Sequence, residues 1–129
     1  KIVSLLVIIY KGQTITEFNA GLASQQCNDL LAENSALNHD EASTLLAKLD
    51  PQWHTIDNRA ISFSYSFKNY YQTMAFVNVI AQIAHQQNHH PDLLVSYNHC
   101  TVTYSTHSVG GLSINDFICA AKINAAQKL

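Results

Sequence analysis

Between Ile61 and Phe67 the chain alternates strictly: Ile61, Phe63, Tyr65 and Phe67 are apolar or aromatic, while Ser62, Ser64 and Ser66 separate them. A period of two predicts a strand with one buried and one polar face. Trp53 to Ile56 gives a second strand signal, and Asp57-Asn58-Arg59 between the two reads as a turn. At Lys68 the period changes. Through Asn88, the residues Tyr70, Met74, Phe76, Val77, Ile80, Ile83 and Ala84 recur at helical spacing and predict the longest helix. Leu93 to Tyr97 and Cys100 to Thr106, around Asn98-His99, predict a second hairpin, after which Gly110-Gly111 turns the chain. Two further helices flank this arrangement. Asn38-His39-Asp40-Glu41 has the form of a capping box ahead of Ala42, Leu45, Leu46 and Leu49, with a stop near Pro51. Ser113 and Asp116 open a last helix through Ile114, Phe117, Ile118 and Ala121. The order helix, two strands, helix, two strands, helix predicts an α+β domain: a four-stranded antiparallel sheet with three helices packed on one face. Little is left in the chain to cover the second face, and the long helix is apolar around much of its girth, so self-association is expected.

The 129 residues suit one domain, and 47% hydrophobic against 12% charged residues exclude a disordered chain. A formal charge of -2 is too little positive charge to hold a phosphate backbone, so no nucleic-acid partner is expected. The apolar run from Ile2 to Tyr10 is about half a membrane span, so no membrane partner is expected either. Behind Lys1 it resembles the start of a secretory signal, but only Gly21-Leu22-Ala23 offers a weak cleavage site; a strand or an upstream leader is the alternative. Residues 1–26 are accordingly read as an N-terminal extension or leader, and 27–129 as the domain. Cys27, Cys100 and Cys119 are an odd number at no ligand-like spacing, which indicates neither a disulfide framework nor a zinc ribbon and fits a reducing cytoplasm.

Seven histidines equal all the lysines and arginines together, and they concentrate from His85 to His107. Pro91 disfavours helix at His90, so the long helix should end near Asn88-His89-His90 and leave both imidazoles at an exposed corner. Counting outward from a turn at Asn98-His99 pairs position 90 with 107, which brings His107 toward His89 and His90. Imidazoles there suit general acid and base catalysis near neutrality. A serine hydrolase is disfavoured: Ser105 and Ser108 flank His107, but there is no G-x-S-x-G elbow. A metal set of His85 and His89 with His107 or Asp92 competes, yet the Glu of H-E-x-x-H is missing and the helix end is poorly held, so no metal is expected. Ordinary structural roles suffice elsewhere. His85 can cap helix carbonyls, His39 and His54 can lie at the surface, His99 can sit in a turn, and Tyr70, Tyr71 and Tyr104 can fill core or interface. Asp116 is explained by the free amides and dipole of its helix. The pair His89-His90 taken alone is as compatible with a bland corner as with a site.

The longer string decides between them. Asn88-His89-His90-Pro91-Asp92, then Tyr97, Thr106-His107, Gly111-Leu112-Ser113 and Asp116, with Phe67-Lys68 upstream, closely resembles the pterin-4a-carbinolamine dehydratase family over roughly residues 28 to 128. The resemblance implies an α+β subunit, commonly a homotetramer. It also implies dehydration of 4a-hydroxytetrahydropterin to quinonoid dihydropterin, in recycling the tetrahydrobiopterin-type cofactor that aromatic amino acid hydroxylases use. It makes His89, His90 and His107 the catalytic imidazoles, and lines the pterin with His89, His90, Pro91, Thr106, His107, Ser108 and Val109. The pterin is then the substrate and no cofactor is needed. His85, where an acidic residue is frequent, and Leu93, where an aromatic is common, depart from the family pattern. Animal members also serve as dimerisation cofactors of a transcription factor, so a non-enzymatic interaction module is the alternative; the three retained histidines favour the enzyme.

Overall fold

The computed structural model describes residues 9–10, 13–14, 21–29 and 35–127. Its sheet is formed by β1 (His54–Ile56), β2 (Ala60–Ser66), β3 (Asp92–Val95) and β4 (His99–Tyr104), and its helices are α1 (His39–Leu46), α2 (Tyr70–Gln87) and α3 (Ile114–Gln127). All neighbours in the sheet are antiparallel, in the order β1-β2-β4-β3. This is the expected α+β architecture. Most of the N-terminal apolar run lies outside the described residues; Ile9–Tyr10 pairs antiparallel with Gln13–Thr14.

The serine alternation in β2 does what its period requires. Ile61, Phe63 and Tyr65 are buried on the inner face with Cys100, Val102 and Tyr104 of β4, where Ile80, Phe117, Ile118 and Ile123 complete the core from α2 and α3. Trp53 closes it at one end, its indole N–H donating to Asn124 Oδ1 at 2.7 Å. On the outer face hydroxyls pair across strands, Ser62 Oγ with Thr103 Oγ1 at 3.0 Å and Thr101 Oγ1 donating to Ser64 Oγ at 3.1 Å. The first turn is as expected. Asp57 and Asn58 both adopt positive φ, 51° and 54°, a conformation their short polar side chains tolerate.

The second hairpin corrects the expected register. Val95 faces Cys100 and Asp92 faces Thr103, so extending the ladder sets position 107 against 88 rather than 90. The turn sits one residue earlier, at Tyr97-Asn98, with Ser96 N–H donating to His99 O at 2.9 Å. Neighbours fix it there: Tyr97 O accepts from Thr73 Oγ1 at 2.9 Å, and Asn98 O accepts from Phe67 N–H at 2.8 Å. His99 therefore opens β4 opposite Ser66 instead of occupying the turn. A one-residue move of the turn shifts register by two, which keeps every side chain on its expected face.

Residues from the expected extension also pack on the domain. Leu22 is buried, and Ala23 O accepts from Lys122 Nζ of α3 at 2.9 Å.

Candidate active site

Two chain segments converge on the N-terminus of α3. The first is the exit from α2. Asn88 takes the left-handed conformation (φ 51°), its N–H donates to His85 O at 3.3 Å, and His89 N–H reaches back to Ala84 O at 3.1 Å. These two bonds are a Schellman motif, so Asn88 ends the helix before Pro91 can act and fixes the direction in which His89 leaves. The second segment follows β4. Thr106 and Gly111 form an isolated bridge, with Thr106 N–H to Gly111 O at 2.7 Å, which pinches off a 3-10 turn of His107–Val109 closed by Gly110 at φ 67°. Gly111 must be glycine for steric reasons: a Cβ there would lie 2.9 Å from Ala36 Cβ.

Asp116 joins the two segments. Its carboxylate is fully buried in the first turn of α3 and accepts from His89 Nε2 at 2.6 Å through Oδ1. Oδ2 accepts from Thr106 Oγ1 at 2.8 Å and from Ser113 N–H at 2.9 Å. Since Thr106 gives its single hydroxyl proton to Asp116, Ser113 Oγ donates to Thr106 Oγ1 across their 2.7 Å contact. His89 is also stacked on Tyr104, with centroids 5.3 Å apart, and Tyr104 OH donates to His89 O at 3.4 Å. Burial disfavours the imidazolium of His89, but the hydrogen bond and charge of Asp116 outweigh it and raise the pKa above the ordinary histidine value of 6.5. The Asp116 bond assigns the Nε2–H and leaves Nδ1 as the ring's other nitrogen.

The corner expected to be open to solvent is open for only part of the set. His90, His107 and Ser108 are exposed, Pro91 and Val109 are half-buried, and Thr106 is buried at the network's centre. The His89 side chain is only 14% exposed. His85 and Asp92 are exposed, and among the described residues no three His, Cys, Asp or Glu side chains gather as a metal-binding set. The largest adjustment is Asp116. Its third-position capping role is real, as the bond to Ser113 N–H shows, but its other oxygen holds His89. Four residues spread from position 89 to 116, His89, Thr106, Ser113 and Asp116, thus form one hydrogen-bonded network that no local pattern in the sequence marks.

Comparison with known proteins identifies the family. The family model described as pterin 4 alpha carbinolamine dehydratase matches residues 35–126. A Nitrosomonas eutropha protein that bears the provisional name pterin-4-alpha-carbinolamine dehydratase is 53% identical over 103 residues, 80% of this chain and 90% of that protein. A Legionella pneumophila protein of the same provisional name is 52% identical over 104 residues, 80% of this chain and 92% of the other. The crystal structure of a transcriptional coactivator/pterin dehydratase from Brucella melitensis superposes with a TM-score of 0.66 at 35% identity, covering 70% of this chain and 97% of that one. A fold, a histidine corner and these matches lead to one conclusion: the chain belongs to the pterin 4 alpha carbinolamine dehydratase family.

Proposed function

We propose that the protein dehydrates 4a-hydroxytetrahydropterin to quinonoid dihydropterin, with His89, His90 and His107 as its acid and base groups. The observation that carries this reading is the buried Asp116 carboxylate, which ties His89 to Thr106 and so sets the His89-His90-Pro91 and Thr106-His107 segments side by side. In the reaction the C4a–O bond breaks with its electron pair leaving on oxygen, which takes a proton, while a base removes the N5 proton and its electron pair closes the C4a=N5 bond. Two proton transfers and no electron transfer are required. His89, whose imidazolium is favoured by Asp116, is suited to protonate the departing hydroxyl through Nδ1; the imidazole of His90 or His107 is suited to take the N5 proton. Pro91, Thr106, Ser108 and Val109 would position the flat heterocycle, and such positioning lowers the barrier further. No cofactor enters this scheme, because the pterin is itself the substrate.

The same reading places the protein in the cytoplasm, recycling the product of an aromatic amino acid hydroxylase, as a homotetramer. Tyr71 and Val79 of α2 and Leu94 of β3 are large exposed apolar side chains that a symmetric assembly would cover. No helix among the described residues is long and apolar enough to cross a membrane. An interaction module is the second reading, favoured by the Brucella melitensis protein, which is named a transcriptional coactivator beside a pterin dehydratase. A stopped-flow assay with synthetic 4a-hydroxytetrahydropterin separates them: the enzyme accelerates dehydration and loses that acceleration in His89→Ala, His90→Ala and His107→Ala, whereas an interaction module leaves the rate at the uncatalysed value.

A further inference from the structure

A pair of free thiols lies beside this site. Cys27 Sγ and Cys119 Sγ are 3.4 Å apart, although 92 residues of chain separate them. Cys119 is buried in α3, one turn beyond Asp116, with its sulfur 4.0 Å from His89 O; Cys27 is half-buried. Side-chain amides of α2 and α3 hold the Cys27 segment in place. Cys27 N–H donates to Gln87 Oε1 at 2.8 Å, and Gln87 Nε2 donates to Gln26 Oε1 at 2.8 Å. On the other side Asn115 is bonded twice to the backbone of Asn28, accepting from its N–H at 3.1 Å and donating to its carbonyl at 3.3 Å.

We propose that Cys27 and Cys119 are a redox modification site, a dithiol that small-molecule disulfides convert reversibly into an intramolecular disulfide fastening residues 21–29 to α3 beside His89. The sulfurs need approach by only about 1.4 Å to reach the covalent distance of about 2.05 Å. The contact also sets the two thiols apart. The hydrogen bond from Cys27, aided by the charge of His89, pulls the Cys119 thiol below its usual value against the effect of burial, while the same contact pushes Cys27 up. Cys27, the more accessible sulfur, gives its proton to solvent and attacks a disulfide RSSR as the thiolate. One RS– leaves and takes up that proton. Cys119, as the thiolate, then attacks the Cys27 sulfur and expels the second RS–, which takes up the proton Cys119 gave to solvent, so that two protein thiols and RSSR become one protein disulfide and two RSH. Cys100, the third cysteine, is buried on the inner sheet face opposite Tyr65 and Val95 and takes no part. A disulfide of this kind suits a reducing compartment, where such bonds are transient and redox-sensing. The inference does not depend on the dehydratase reading.

The test uses the full chain, reduced and then equilibrated with oxidised glutathione, and reads intact mass and non-reduced peptide maps. The expected product has lost two hydrogens, carries a Cys27–Cys119 linked peptide, forms equally in Cys100→Ser, is absent from Cys27→Ser, and returns to dithiol with dithiothreitol. Because the closed loop is long, the oxidised wild type should melt several degrees higher than the reduced one, a shift that Cys27→Ser lacks. A stable glutathione adduct on Cys27, a Cys27–Cys27 link between chains, or both thiols surviving equilibration would overturn the proposal. The decisive product is read in the unsubstituted chain, so folding of the variants does not limit it.

Discussion

His89 and His90 are adjacent in the chain and share almost no physical circumstance. His89 is stacked on Tyr104 and bonded to a fully buried carboxylate, and only 14% of its side chain meets solvent. His90 is exposed. The Schellman turn at Asn88 produces this difference, because it directs one imidazole inward against α3 and leaves the next outside. One member of a His-His pair can therefore be part of the core's polar framework while the other remains free to meet a ligand, and substitutions should separate the two roles.

The comparison breaks most severely at Asp116. Replacing it by Ala leaves His89 Nε2, Thr106 Oγ1 and Ser113 N–H without their acceptor, and should cost about 3 kcal/mol of stability together with most of the dehydration rate. Chemical denaturation and stopped-flow kinetics on the same preparation check both. Asp116→Asn, which keeps the volume and one acceptor oxygen, should lose less stability but still lose activity, because it no longer supplies a negative charge to His89.

His89→Ala comes next and should act on both axes. It removes a proposed acid or base, typically about 100-fold to 10,000-fold in rate, and it leaves Asp116 Oδ1 without its donor, costing about 1–3 kcal/mol. His90→Ala and His107→Ala should show comparable rate losses with stability changed by no more than about 0.5 kcal/mol. Equal destabilisation by all three would remove the distinction between an inner and an outer histidine.

Much of this was legible in the chain. The capping box at Asn38 and Glu41 has both its bonds, Glu41 N–H to Asn38 Oδ1 at 2.9 Å and Asn38 N–H to Glu41 Oε1 at 3.0 Å. The serine alternation located the sheet's two faces, since a strand's period is a local property. The inward turn of His89 was not legible, because it depends on Asn88 adopting positive φ and on a carboxylate 27 residues away. Asp116 shows why a correct local reading can be incomplete: a carboxylate has two oxygens, and sequence accounted for one. The hairpin register failed for a similar reason, since Thr73 and Phe67 N–H, both distant in sequence, select the turn at Tyr97-Asn98.

Smaller effects sharpen the account. Because the folded His89 pKa is raised, its bond to Asp116 stabilises the fold fully below the ordinary value of 6.5 and loses that contribution as pH rises through the folded value. Melting temperature should therefore fall across that interval in the wild type more than in His89→Gln; parallel profiles would contradict the assignment. His39→Ala and His99→Ala, both at exposed positions, should be nearly silent in rate and in melting.

The central claim is that Asp116 raises the pKa of His89 above the ordinary histidine value, and an NMR titration of the histidine ring signals tests it directly. In the wild type the His89 resonance should titrate above 6.5, and in Asp116→Asn it should move down. A His89 that titrates below 6.5 in the wild type, or one that titrates identically in both proteins, would contradict the account.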